Sequence, residues 1–292
     1  MSSAVLEAQT ISLPGVYDIS ADVYHLDPVA GGSLSSSGAR KLLPPHCPAR
    51  FAYERAHPPA PTKAFDLGHA AHKLVLGVGP ELVRIDRDVW NTNAVKAEVA
   101  EVREAGGVPL KPDDYDTVHA MAAAIREHPF AAALFNPDNG QAERALFWVD
   151  RPTGVWRRAL LDWLPGYESG RRTIFADYKS CRSASPEHLR KVIDEYGYNC
   201  QAAWYLDGVE ALNLADAAAF VFVCQEKEPP YLVTVAEPDG LSMHLARELN
   251  RRAIDLYARC VAEDHWPGYS DEVELIPLPG WKENAYKWGL NQ

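Results

Sequence analysis

Three stretches between Glu143 and Ser180 leave the helical period and read as short, largely apolar runs of strand length: "ERALFWVD" (143–150), "GVWRRALLDWLP" (154–165) and "RTIFADYKS" (172–180). Turn residues separate them, so they are expected to be successive strands, with "PGYESGRR" as a hairpin connection from the second to the third. "AAAFVFVCQE" and "YLVTVAE" predict two further strands. Elsewhere the period is helical. "SSSGARKLL" opens a helix with serines suited to its first turn, and "AFDLGHAAHKLVLG" follows a proline-rich break at 57–63. Further helices are predicted over "PDDYDTVHAMAAAIREHPF", over one long stretch from Ser185 to Leu212 capped by Ser185 with Pro186 at its first position, and over "DGLSMHLARELNRRAIDLYARCVAED". This order predicts an α/β (α+β) fold with a central mixed sheet flanked by helices. Residues 1–34 read as an irregular arm. Residues 35–292 read as one domain, with a helical part at 35–130, a sheet core at 140–236, and a C-terminal helix and tail at 239–292. The region 80–112 is weakly patterned, and the aromatic, proline-rich tail is expected to pack on the core.

The third strand carries an acid and an ammonium, Asp177 and Lys179, two residues apart and hence on one face. Alone, such a pair is an ordinary rim salt bridge worth about 0–1 kcal/mol. Its neighbourhood changes that reading. Asp162 lies toward the end of the adjoining strand, about 4.8 Å away, close enough for both carboxylates to share a cation. A hard divalent ion such as Mg²⁺ prefers oxygen ligands, and the Tyr178 carbonyl would add a third. Lys179 could then steady a water or a phosphate oxygen, as metal-assisted phosphodiester hydrolysis requires. Downstream, Gln201 and Tyr205 stand at i and i+4 on one helix face, while upstream "GHAAH" places His69 and His72 on another helix.

Composition adds limits. The 292 residues are 47% hydrophobic and 24% charged, as in ordinary globular proteins. No run approaches the ~20 apolar residues of a membrane span, and no secretion signal is visible, so a cytoplasmic location without membrane association is expected. The five cysteines are scattered and never in CxxC spacing, which argues against a disulfide framework or a structural zinc site. A net charge of −11 argues against broad attraction to nucleic acid. Between Arg151 and Asn199, however, nine basic side chains face six acidic ones. Arg157, Arg158, Arg171, Arg172 and Arg182 are candidate phosphate contacts there, and Trp204 reads as core.

Taken in order, G-H-x-x-H, D, D-x-K and Q-x-x-x-Y resemble the RecB-like branch of the PD-(D/E)XK nucleases. Five segments ("FDLGHAAHKLVL", "FWVDRPTGVWRRALLDWLP", "ADYKSCRSASPEHLRKVIDEYGYNCQAAWYLDGV", "VFVCQEKEPPYLVTV" and "WPGYSDEVELIPLPGW") are similar to the exonuclease VIII (RecE-like) nuclease domain of phages and prophages, over roughly residues 15–285. The resemblance implies a restriction-endonuclease-like core. It makes His72, rather than His69, a metal ligand with Asp162, Asp177 and the Tyr178 carbonyl, and Lys179 the catalytic lysine. Gln201 and Tyr205 would hold the DNA strand, and Glu143 stands where related enzymes carry a further acid. Implied too are Mg²⁺ (with Mn²⁺ as substitute), 5′ to 3′ digestion of linear double-stranded DNA, a RecT-like single-strand annealing partner, and a ring-shaped homo-oligomer. A restriction or repair endonuclease and a non-catalytic DNA-binding accessory protein are the alternatives. The chain departs from the pattern at "RRALLD", where leucine replaces a second basic residue, and it lacks the C-x2-C-x2-C of iron–sulfur relatives.

Overall fold

The computed structural model describes residues 10–57 and 67–289. In chain order the elements begin with β1 (Gly15–Tyr17), α1 (Ala21–His25), β2 (Leu34–Ser35), α2 (Ser36–Leu42), α3 (Pro48–Ala56) and α4 (Leu67–Leu76). Then come β3 (Leu82–Arg84), α5 (Asn93–Glu104), β4 (Val108–Leu110), α6 (Pro112–Glu127) and α7 (Pro129–Leu134). The sheet core follows with β5 (Gly140–Val149), β6 (Trp156–Pro165), β7 (Arg172–Cys181), α8 (Pro186–Glu195), α9 (Tyr198–Ala211), β8 (Ala217–Glu226) and β9 (Val233–Ala236). The chain closes with α10 (Gly240–Glu263) and α11 (Gly280–Gly289).

The main sheet runs β1-β5-β6-β7-β8-β9, with the short β2 paired to β6. It is mixed: β7 and β8 are parallel and joined through α8 and α9, whereas β5-β6, β6-β7 and β8-β9 are antiparallel. Helices cover both faces. Trp204, Phe175 and Phe222 are under 2% exposed on the side of α9 and α10, and Met121, Val118 and Val223 pack beneath α4 and α6. Each such side chain contributes about 1.5–3 kcal/mol through removal from water. The predicted mixed sheet flanked by helices is therefore what the chain forms.

Several local expectations differ. The segment read as an irregular arm holds β1, which extends the sheet antiparallel to β5, and α1, capped by Ser20. The weakly patterned region forms α5 and the small β3–β4 sheet. The long helix expected from Ser185 is two. Ser185 and Pro186 start α8 as predicted, but Gly197 takes a left-handed φ of 64° and turns the chain into α9. A Cβ there would lie 2.3 Å from Arg40 Nε, so a larger residue would have to displace that side chain as well as hold the left-handed backbone. The tail packs on the core only at its start, where Trp266 lies against Phe51 and Tyr257; beyond it Val273, Leu275 and Ile276 are 95%, 91% and 83% exposed, and Trp281 and Trp288 are largely open. Most of the proline-rich break at 57–63 lies outside the described residues.

Candidate active site

The site exists because β6 has two neighbours along one edge. Near its end it pairs with β7 at Trp163 and Ala176; near its start it pairs with β2 at Arg157 and Arg158. Between these contacts β6 and β7 diverge and a cleft of about 610 Å³ opens. Asp162 and Asp177 are the next residues beyond the Trp163–Ala176 pair, so they face each other across the gap. On the other side of β6, Glu143 stands between the Ala142–Trp163 and Arg144–Leu161 pairs, which aligns it with Asp162. Three acids thus form a row across three strands. The backbone is irregular along this row. Glu143 has φ 47°, uncommon for a non-glycine residue.

The splayed ladder frees backbone groups for the side chains. Tyr178 N–H donates to Asp162 Oδ2 at 2.8 Å instead of to a strand. In an extended chain a residue's N–H and C=O leave the same edge, so the Tyr178 carbonyl leaves on the Asp162 side. Its ring points the other way, and the hydroxyl donates to Gln225 Oε1 at 2.7 Å. Gln225, wholly buried on β8, donates to the Met121 carbonyl at 2.8 Å. A polar strut therefore fixes β7 to α6 beneath the site. From α4, His72 Nε2 reaches Asp162 Oδ2 at 3.2 Å, with Nδ1 4.0 Å from Glu143 Oε1. From α9, Gln201 Nε2 donates to Asp177 Oδ1 at 2.5 Å. Tyr205, one turn on along α9, lines the cleft and packs its ring edge-on against Phe220. Lys179 Nζ lies 2.5 Å from Asp177 Oδ2.

This crowding shifts the titrating groups. Burial, then the neighbouring Asp162 charge, push the Asp177 carboxyl up to about 6, with Lys179 and His72 opposing. Burial also acts to raise Asp162, but the His72 hydrogen bond and the His72 and Lys179 charges outweigh it and hold it below the usual range. Burial acts to lower both His72 and Lys179, and in each the surrounding carboxylates prevail and raise the pKa.

A divalent cation fits these residues. Asp177 Oδ2 is buried and, although Lys179 Nζ is close, no donor is aligned to it as a hydrogen bond. The row carries three carboxylates against one lysine and one histidine, an excess of anionic oxygen suited to a hard ion. Among the described residues no group of three or more His, Cys, Asp or Glu side chains is placed, as it stands, to hold a metal ion. His72 and Asp162 instead bond to each other, and Asp177 bonds to Gln201 and lies against Lys179.

His72, Glu143, Asp162, Asp177, Lys179, Gln201 and Tyr205 all line this one cleft. The His69 side chain lies outside the described part. The arginines part company. Arg157 is 5% exposed, lies between the Trp148 and Trp204 rings, and donates to Asp207 at 2.9 Å; it is a core residue and presents no surface to a phosphate. Arg158 lines the cleft, but its guanidinium is held by Asp27 and Ser33 of the segment before β2. Arg171 and Arg172 border a separate hollow at the far end of β7, paired with Glu168 and Glu237. Arg182 is exposed just past β7. Trp204 is core, fully buried. The opposite wall of the cleft, Tyr24 and His25 of α1 with Ser36, Arg40 and Tyr196, was not singled out from sequence. The serines and Arg40 were visible only as a capped helix start, and Tyr196 as part of a continuous helix.

A family model described as a PDDEXK-like domain of unknown function (DUF3799) matches residues 35–279. No curated protein matches the chain. Among solved structures, a crystal structure described as a "Putative exonuclease" from Eubacterium rectale superposes with a TM-score of 0.56 at 12% identity, covering 92% of this chain and 99% of that one. At that identity the likeness is one of fold.

Proposed function

The chain belongs to the PDDEXK-like family, and on that premise we propose that it is a divalent-metal-dependent nuclease that degrades linear double-stranded DNA from its ends. The observation that carries the reading is convergence. His72 on α4, Asp162 on β6, Asp177 and Lys179 on β7, and Gln201 on α9 meet in one cleft although the chain separates them widely. Asp162, Asp177, the Tyr178 carbonyl and His72 would hold the ion, with Glu143 beside them, and Mg²⁺ suits such a donor set, with Mn²⁺ as substitute. When bound, the ion supplies Lewis acidity and an activated water. The chain's own groups do the rest. Tyr178 N–H orients Asp162, Gln201 orients Asp177, and Lys179 offers an ammonium to charge developing on the phosphate. Tyr205 lines the cleft one turn on from Gln201.

The likeness of five sequence segments to RecE-like domains supports the finer reading: 5′ to 3′ digestion leaving 3′ single-stranded tails for an annealing protein in phage-type recombination, with a ring-shaped oligomer keeping hold of the DNA. The test is hydrolysis, with Mg²⁺, of end-labelled linear duplex beside the same duplex covalently closed. Release of mononucleotides from 5′ termini of the linear form alone is expected. Cleavage of the closed circle would make the protein an endonuclease, and no hydrolysis of either form would overturn the proposal.

A further inference from the structure

One ring in the cleft has no part in the scheme above. Tyr196 ends the turn after α8, lines the cleft, and is 53% exposed. Its backbone is held firmly. The Arg40 guanidinium donates to the carbonyls of Tyr196 and Glu195, and Gly197 makes the left-handed step into α9. Its ring lies 5.7 Å from that of Tyr198 at 36°. Tyr198, half-buried, stacks on buried Phe222 at 5.1 Å, and Lys179 Nζ stands 5.4 Å from the Tyr198 ring. The three rings step outward from the core, and the middle one adjoins the lysine that would serve the scissile phosphate.

An exposed ring anchored through its own main chain costs little ordering when a flat partner lands on it. We infer that Tyr196 is a stacking platform for an unpaired nucleobase beside the phosphate in the cleft. This rests on the nuclease reading. The occupant is a base at a frayed or single-stranded end, because a base inside a duplex already has neighbours on both faces. Stacking tolerates any base, so the platform adds grip without sequence preference. Tyr196 is a positioning residue and touches no reacting atom.

The test measures anisotropy of labelled oligothymidylate and of an equally long abasic strand, in EDTA, for the wild-type chain, Tyr196→Ala and Tyr196→Phe. Tyr196→Ala is expected to bind oligothymidylate about tenfold more weakly, within the range of one base–aromatic stack. Tyr196→Phe should match wild type, and all three should bind the abasic strand alike. With Mg²⁺, the Ala variant should show raised KM for DNA hydrolysis and little change in kcat. Equal loss on both strands, no loss on either, or undetectable binding by a wild-type chain that hydrolyses DNA would overturn the stacking role alone. A wild-type chain that neither binds nor hydrolyses DNA would take the nuclease reading down with it.

Discussion

Replacing Gln225 by leucine should weaken the fold through the strut beneath the cleft. Gln225 is fully buried; its Oε1 accepts from Tyr178 and its Nε2 donates to the Met121 carbonyl. Leucine keeps most of the volume but leaves the Tyr178 hydroxyl without a partner in an apolar interior, whereas the Met121 carbonyl, inside α6, keeps its helical partner. One orphaned hydroxyl costs about 1–3 kcal/mol, and Gln225→Leu should lose about that much. Tyr178→Phe removes the hydroxyl and orphans only Gln225 Oε1, for about 1–3 kcal/mol. Combined, the two changes abolish donor and acceptor together, and the double variant should be less destabilised than the singles added, by about 1 kcal/mol or more. Guanidinium denaturation followed by circular dichroism reads these differences through the midpoint at constant m. Additivity within about 0.5 kcal/mol would mean that the two side chains are not coupled, and the strut would not exist as described.

Lys179→Ala should reduce DNA hydrolysis by about 100-fold or more while leaving the far-ultraviolet spectrum unchanged, since the ammonium serves developing charge rather than the core; near wild-type turnover would misplace the site. Arg157→Met should lower stability by about 1–3 kcal/mol, because it takes the hydrogen-bonded partner from Asp207 while Asp150 keeps Arg251. It should leave the salt dependence of DNA binding as it was, and a shallower salt slope would restore Arg157 as a phosphate contact. Acid stability should depend on Asp150. Burial would raise its pKa, but the two Arg251 hydrogen bonds and the Thr153 hydroxyl lower it overall. A folded pKa below the unfolded value of about 3.9 gives stability that is present above that value and lost as pH falls through the folded one. Denaturation midpoints compared at about pH 6 and about pH 3 should therefore fall further in wild type than in Arg251→Gln; equal falls would refute the assignment.

Much of the site was legible because its chemistry sits on local spacings. Asp177 and Lys179 share a face by strand period, and Gln201 and Tyr205 by helical period, wherever the rest of the chain goes. The meeting of these pieces with His72 and Asp162 came through resemblance, since no local rule brings α4 against β6. Of the candidate phosphate contacts, Arg157 is the one that lies in the core. On its strand both parities carry apolar side chains, Ala159 and Leu161 with Arg157, Trp156 and Leu160 with Arg158, so only the tertiary packing shows that Arg157 faces the core. Tyr196 was invisible because only the Gly197 turn, with its left-handed φ of 64°, separates two stretches that each look helical. The arm was missed because β1 and α1 are too short to show a period, and they gain order only by lying on β5 and against Arg158.

The bare tail has a practical outcome. A protease that favours aliphatic or aromatic positions meets Val273, Leu275, Ile276 and Trp281 before any buried peptide. Brief digestion should therefore pare the chain back toward Trp266, whose indole is lodged against Phe51 and Tyr257, and the trimmed body should keep its sheet and its cleft.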